Sequence, residues 1–185
     1  MKFLVLLSGC GLGDGSQIEE VILTYLVLDK YNIEYQPIAL DIECPSINHL
    51  TEDQDAQRNV LVESARMGRG KIKNLLDINT NDYNGLIIPG GIGLINNYSS
   101  HKLIQRLIEE YVKDKKPMLG MCSALSLLRT IVSPDLLNNE RETEASDYCY
   151  DEMYNIYYTP AFRRSQSLYE ISMGIDAMIL KVISI

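Results

Sequence analysis

Short apolar runs alternate with amphipathic stretches along the chain. Residues 3–7 form a continuous apolar run, which is typical of a strand buried on both faces of a parallel sheet. From Ser16, apolar residues recur at helical spacing as far as Lys30, and Glu19 occupies the capping-box position after Ser16. Residues 33–40 are apolar enough for a second strand. This strand–helix–strand order predicts a βαβ unit of a doubly wound α/β fold.

The same alternation continues towards the C-terminus and predicts one domain over residues 1–185. Residues 41–57 are polar and predict an excursion away from the sheet, and residues 133–151 predict a loop or an irregular strand. The remaining predicted elements are a helix over residues 60–67, a strand over 85–89, a helix over 103–111, a strand over 117–121, a helix over 124–130, a strand over 153–159 and a final helix from Gln166.

Composition and charge narrow the classes of function. The chain has a net charge of -8, which disfavours binding to nucleic acid or to anionic membranes. No apolar run is long enough for a bilayer span or a signal peptide, which predicts a cytosolic protein. The four cysteines lie far apart and without metal-ligand spacing, so we expect reduced thiols, no metal and no cofactor.

Ligands of parallel α/β sheets collect beyond the carboxyl ends of the strands. Three such ends carry candidate chemistry, at residues 8–15, 89–93 and 121–126. The first resembles a glycine-rich dinucleotide loop, but Asp14 and Ser16 stand where that motif requires glycine. We therefore interpret it as a flexible turn into the first helix.

The third strand end places Cys122 between a buried strand and a helix, which is the layout of a nucleophile elbow. Amides at the start of that helix would lower the pKa of the thiol; the alternative is a buried cysteine acting as a small apolar side chain. Gly90 and Gly91 can present amides as an oxyanion hole or form only a tight turn. The two histidines, His49 and His101, do not follow the elbow, so neither is a candidate general base.

Several sequence blocks closely resemble the enhancing lycopene biosynthesis protein (ElbB) family, in the ThiJ/PfpI group of the class I glutamine amidotransferase-like superfamily. The resemblance runs from near the start to the last helix. The matching blocks are SGCG at residues 8–11, DGS at 14–16, NHLT at 48–51, RNVLVESAR at 58–66, PGGIG at 89–93, TPAF at 159–162 and GIDAM at 174–178.

This resemblance implies a flavodoxin-like three-layer sandwich with a mainly parallel sheet. It implies Cys122 as nucleophile, Glu20 as the carboxylic acid beside it, and Gly91 with the amide of Ser123 as oxyanion donors. It also implies a small-molecule carbonyl substrate and a homodimer. The activity associated with the family is a glutathione-independent glyoxalase, which converts 2-oxoaldehydes such as methylglyoxal to 2-hydroxy acids.

The sequence also departs from the family and superfamily patterns. Ser123 replaces the histidine that follows the cysteine in amidotransferases, and Glu19 replaces a histidine beside Glu20. The segments after Ser99 and after the elbow helix are short, which would leave the pocket open. These departures keep a second hypothesis in place, a non-catalytic redox-sensing or ligand-binding protein with a reactive cysteine. A third is an interaction module that uses the basic residues 66–73 or the final helix.

Overall fold

The computed structural model describes residues 1–184. Its strands, in chain order, are β1 Lys2–Leu6, β2 Glu34–Ala39, β3 Glu43–Ile47, β4 Gln54–Asn59, β5 Lys73–Asn74, β6 Gly85–Ile88, β7 Met118–Met121, β8 Cys149–Asp151 and β9 Ile156–Thr159. Its helices are α1 Ile18–Lys30, α2 Val60–Ala65, α3 Gly93–Tyr98, α4 Lys102–Lys113, α5 Ala124–Ile131 and α6 Leu168–Ile183.

Seven strands form one sheet in the order β5-β2-β1-β6-β7-β9-β8. All neighbouring pairs are parallel except β8 and β9, which are antiparallel at one edge. The central strands β1, β6 and β7 are apolar and buried on both faces, as their uninterrupted apolar runs predict. The structure confirms the predicted flavodoxin-like α/β fold.

Helices cover both faces of this sheet and make the three layers. On one face, α3, α4 and α5 pack on the side chains of Leu4, Leu6 and Ile88. On the other face, α1 and α6 pack on Phe3 and Val5. Alternate residues of β1 therefore belong to two different cores, which is why no polar position interrupts that strand. No helix within residues 1–184 is long and apolar enough to cross a bilayer.

Residues 41–57 leave the main sheet as expected, but three local features were not predicted. Residues 41–57 contribute to an antiparallel hairpin of β3 and β4, which the pattern missed because β4 is polar and exposed along its length. The segment Gly93–Tyr98 is a helix that the sequence analysis did not predict. The N-cap of α1 is Gln17 and not Ser16, because the hydroxyl of Ser16 is buried and accepts a hydrogen bond from the Ser8 amide.

Candidate active site

Cys122 lies at the junction of β7 and α5, at the predicted elbow. Its backbone has φ of 48°, a left-handed conformation that costs energy for a residue with a side chain. Two hydrogen bonds hold this backbone: the Cys122 amide donates to the Thr159 carbonyl over 3.2 Å, and the Tyr158 hydroxyl donates to the Cys122 carbonyl over 3.1 Å. The surrounding sheet therefore imposes the strained turn, which is a common feature of functional residues.

Glu20 reaches the same place from the first turn of α1 and is fully buried. Its Oε2 accepts a hydrogen bond from the Gly90 amide over 2.6 Å. Its Oε1 is buried without a partner at hydrogen-bonding geometry in the described structure. A buried carboxyl oxygen without a donor is costly, so this arrangement favours the protonated form of Glu20.

Gly90 explains how the two side chains come together. A Cβ atom at this position would lie 2.6 Å from Glu20 Oε2 and 2.7 Å from Cys122 Cβ. Both distances are far below van der Waals contact, so only glycine allows the carboxyl group and the cysteine to meet here. The predicted pair of Cys122 and Glu20 is thus brought together at the end of β6.

Burial raises the pKa of Glu20 to about 7, although the amides of Gly90 and Phe162 and the thiol of Cys122 oppose this shift. Burial also raises the pKa of Cys122 to about 12, and the charge of Glu20 adds to the rise. The amide of Ser123 lowers the thiol pKa as predicted, but by less than burial raises it. Burial therefore outweighs the helix amides at Cys122, because these amides act on a group that the fold has removed from water.

The two groups titrate as a coupled pair. A negative charge on Cys122 disfavours one on Glu20, and burial disfavours both charges. The pair therefore carries at most one negative charge around neutral pH, and it retains one proton. A group with a pKa near 7 is well suited to accept and return that proton.

The two predicted oxyanion donors are placed differently. The Ser123 amide faces the thiol of Cys122, where it stabilises negative charge. The Gly91 amide instead donates to the Ser123 hydroxyl over 2.7 Å, and that hydroxyl donates back to the Gly91 carbonyl over 2.7 Å. The Gly91 amide is thus occupied by Ser123, and its role as an oxyanion donor stays a prediction that requires this hydroxyl to move.

A strained turn after β9 brings two further residues close to Cys122 and Glu20. Ala161 has φ of 45°. The turn brings the Phe162 amide close enough to lower the pKa of Glu20, and it brings Arg163 close enough to lower that of Cys122. In the sequence, residues 159–162 are recognisable only as part of the family resemblance, which assigns them no role. The feature of the sequence that could have indicated a role is Arg163, which directly follows residues 159–162.

The two histidines lie away from the thiol. His49 is at the tip of the β3–β4 hairpin, and its Nε2 accepts a hydrogen bond from the Gly13 amide in the first loop. His101 caps α4, with its side chain accepting from the Leu103 amide. Among residues 1–184, no cluster of three metal-binding side chains is present. Glu20 is therefore the base candidate that the fold places beside Cys122.

Comparison with solved structures identifies the architecture. An isoprenoid biosynthesis protein with amidotransferase-like domain from Ehrlichia chaffeensis superposes with a TM-score of 0.87 and 27% identity, covering 100% of this chain and 98% of that one. A ThiJ/PfpI domain protein from Brachyspira murdochii superposes with a TM-score of 0.60 and 12% identity, over 100% and 97% of the two chains. The chain has the ThiJ/PfpI fold.

Curated proteins give a consistent result. The chain is 27% identical to the mitochondrial ES1 protein homolog of Rattus norvegicus, over 100% of this chain and 84% of that protein. It is 27% identical to the human mitochondrial glutamine amidotransferase-like class 1 domain-containing protein 3, over 100% and 83%. No family model matches the chain. This ThiJ/PfpI-fold protein is therefore homologous to class I glutamine amidotransferase-like proteins.

The same comparison contradicts the cytosolic location predicted from the sequence. The relatives from rat, human and zebrafish are all named mitochondrial proteins. The prediction was wrong because it rested on missing membrane and secretion signals, and these do not distinguish one non-secretory compartment from another.

Proposed function

We propose that this protein is an ElbB-like, one-domain glyoxalase that converts 2-oxoaldehydes to 2-hydroxy acids without glutathione. The observation that carries the proposal is the buried pair of Cys122 and Glu20, which meet at Gly90, where burial raises the pKa of Glu20 to about 7. A nucleophile needs a partner that removes its proton on attack, and Glu20 is that partner. The ElbB assignment draws further support from the likeness to the isoprenoid biosynthesis protein of Ehrlichia chaffeensis.

The first step forms a bond between sulfur and the aldehyde carbon. Because the thiol of Cys122 is protonated at neutral pH, Glu20 accepts its proton as sulfur attacks, and the aldehyde oxygen then takes a proton to give a hemithioacetal. The Ser123 amide, which already stabilises charge on the sulfur, lies at the start of α5 and can also stabilise the transient oxyanion.

The second step moves a proton between the two carbons of the substrate. Glu20 removes the proton from the carbon bound to sulfur and returns it to the neighbouring carbonyl carbon, which yields a thioester of the 2-hydroxy acid. Water then hydrolyses the thioester and restores the thiol. Oxidation of one carbon balances reduction of the other, so the reaction requires no external oxidant or reductant.

The rival hypothesis is a ligand-binding or redox-sensing protein that does not turn over substrate. Burial and the Glu20 charge raise the pKa of Cys122, which disfavours a thiolate that reacts readily with peroxide. The bond between Ser123 and Gly91 favours binding without turnover, because it occupies one of the two predicted oxyanion donors.

Turnover of methylglyoxal to lactate separates these hypotheses. We expect conversion by the wild-type protein, no conversion by Cys122→Ser, and a loss of at least about 100-fold in Glu20→Gln, because the proton transfers then lack their base. Cys10→Ser is the matched control, since Cys10 also follows a central strand at intermediate exposure and lies outside the proposed machinery. Equal rates in Cys122→Ser and wild type would remove the catalytic role; tight binding without lactate formation would favour the rival.

We also propose that the protein forms a homodimer through α1 and α6, which pack side by side. Three apolar residues of α1, Ile18, Ile22 and Leu26, recur every fourth position and are exposed. Met173 and Leu180 on α6 are exposed as well. An apolar surface that continues over two adjacent helices favours self-association.

Sedimentation velocity tests the homodimer. We expect a dimer for wild type and a monomer for Leu26→Glu. Leu76→Glu is the control, because Leu76 is similarly exposed but lies in the segment after β5, outside both helices. A dimer that persists in Leu26→Glu, or one that dissociates in both variants, would argue against this surface.

A further inference from the structure

Beside the elbow lies a pocket of about 410 Å³ that is lined by arginine. Four of the eight arginines in the chain line it, in a protein whose net charge is -8. Its lining residues are Arg129, Glu140, Arg141, Tyr158, Pro160, Arg163 and Arg164. Four guanidinium groups thus face one carboxylate, so the pocket is strongly positive in an acidic protein.

Two of these arginines serve the fold itself. Arg129 donates to the carbonyls of Leu136 and Leu137 and pairs with Glu140 over 3.2 Å, which neutralises the one carboxylate of the pocket. Arg164 donates to the Arg141 carbonyl. These bonds hold the loop after α5 against the turn after β9 and form the walls of the pocket.

The other two arginines, Arg141 and Arg163, have no carboxylate partner in the described part of the chain, although Arg163 lies close to the Tyr158 hydroxyl. Within residues 1–184, neither Arg141 nor Arg163 forms an ion pair with a carboxylate. Both side chains are exposed to solvent. A guanidinium group offers donors in a planar fork that matches a carboxylate or a phosphate. The pocket therefore contains two guanidinium groups without a carboxylate partner among the described residues, which can bind an anion.

The pocket adjoins the backbone of Cys122 through Tyr158. Tyr158 lines it and donates its hydroxyl hydrogen to the Cys122 carbonyl over 3.1 Å. Arg163 lines it and is close enough to lower the pKa of the Cys122 thiol. Arg163 also follows Phe162, whose amide faces Glu20. One end of a small molecule can therefore lie at the thiol while its other end lies among the arginines.

We propose that the molecule attacked by Cys122 carries an anionic group, a carboxylate or a phosphate, which Arg163 and Arg141 bind. The inference rests on the proposed function and names its substrate class: an aldehyde or 2-oxoaldehyde with a negatively charged end. Methylglyoxal has no such group and would be a poor representative of this class. An uncharged substrate leaves the positive pocket beside the elbow without a ligand.

Alkylation of Cys122 by two reagents of similar size tests this inference without turnover. Iodoacetate is anionic and iodoacetamide is neutral, and mass spectrometry follows both reactions at pH 9. We expect the iodoacetate-to-iodoacetamide rate ratio to fall about tenfold in Arg163→Gln, since a charge-assisted hydrogen bond is lost. Arg163→Gln also changes the thiol pKa, but that change affects both reagents and cancels in the ratio.

Matched variants sharpen this experiment. Arg69→Gln removes an exposed arginine outside the pocket and should leave the ratio unchanged. Arg163→Lys keeps the charge and should restore part of the ratio. Separate additions of inorganic phosphate and acetate should slow iodoacetate in the wild type, and the stronger competitor identifies which anionic group the pocket prefers.

An equal ratio in wild type and Arg163→Gln, with circular dichroism showing both folded, would overturn the inference. So would a failure of phosphate and acetate alike to bind Cys122→Ser in calorimetric titrations, a measurement that does not depend on thiol reactivity. If methylglyoxal and anionic aldehydes are not converted but the ratio still depends on Arg163, the glyoxalase fails and the anion pocket stands.

Discussion

Two cysteine–glutamate pairs lie at the ends of central strands, and they differ in what surrounds the carboxylate. Glu63 lies near Cys10 and raises its pKa, but it also pairs with Arg66 over 3.0 Å and with Arg58 over 3.6 Å. Glu20 has no such cation within residues 1–184; a backbone amide is its hydrogen-bond partner.

This difference separates a structural carboxylate from a reactive one. Arginines neutralise the charge of Glu63, and the same arginines lower the pKa of Cys10. At Glu20 the cost of burial is not offset by a cation, so the pKa of the group rises to about 7 and its proton becomes exchangeable. Perturbed groups of this kind concentrate at functional sites, which favours Cys122 over Cys10 as the working thiol.

The largest expected effect is on the pH dependence of stability. The pKa of Glu20 is about 7 in the folded protein against 4.5 for the ordinary group, so the folded state binds more protons between these pH values. The free energy of unfolding then falls as pH rises through this window, by about 3 kcal/mol in total. Urea unfolding of wild type and Glu20→Gln at pH 5 and pH 8 measures this effect, because the glutamine side chain of the variant has no carboxyl group to titrate.

Equal losses of stability in wild type and Glu20→Gln between pH 5 and pH 8 would contradict the contrast between Glu20 and Glu63. That result would mean that the carboxyl group of Glu20 ionises in the fold as readily as in the unfolded chain. Glu63→Gln provides the control, since it removes a carboxylate that already has cationic partners.

The next effect concerns the two thiols. Ionised Glu20 raises the pKa of Cys122, so Glu20→Gln should speed iodoacetamide alkylation of Cys122 about tenfold at pH 8.5, which is one pKa unit. At pH 6 Glu20 is largely protonated, and the two rates should converge. Glu63→Gln should accelerate Cys10 less, because arginines already offset that charge.

Slower alkylation of Cys122 in Glu20→Gln at pH 8.5 would show that the carboxylate assists the thiol more than it repels the thiolate. The expected result, faster alkylation together with lost turnover, would separate the role of Glu20 as a proton carrier from its electrostatic effect. Peptide mapping reports both cysteines from one sample.

Much of the fold follows from local pattern. The apolar runs of β1 and β6 predict buried parallel strands, and the small residues around Cys122 predict the elbow. The β3–β4 hairpin was missed because it has polar residues on both faces, and its position depends on contacts with a distant loop, such as the bond from the Ile47 amide to Asp14 over 2.8 Å.

The candidate site was predictable in its residues but not in its electrostatics. The pKa of Cys122 depends on how far the fold removes it from water, and short-range pattern predicts only the helix amides that oppose this effect. The pair of Glu63 and Arg66 has the i,i+3 spacing of helical neighbours, whereas the pair of Glu63 and Arg58 joins α2 to β4 and depends on how these two elements meet. Arg163 lies close to Cys122 because of the strained turn at Ala161, which hydrophobic periodicity does not predict.

The smallest effect is expected at Glu63. Its arginine partners are partly exposed, so water and salt weaken both ion pairs, and Glu63→Gln should cost about 1 kcal/mol at pH 7. Urea unfolding at low and at 0.5 M salt should show this loss shrinking as salt rises. A loss above about 3 kcal/mol that salt does not change would contradict this expectation, because it would mean that Glu63 and its arginines form a deeply buried ion pair.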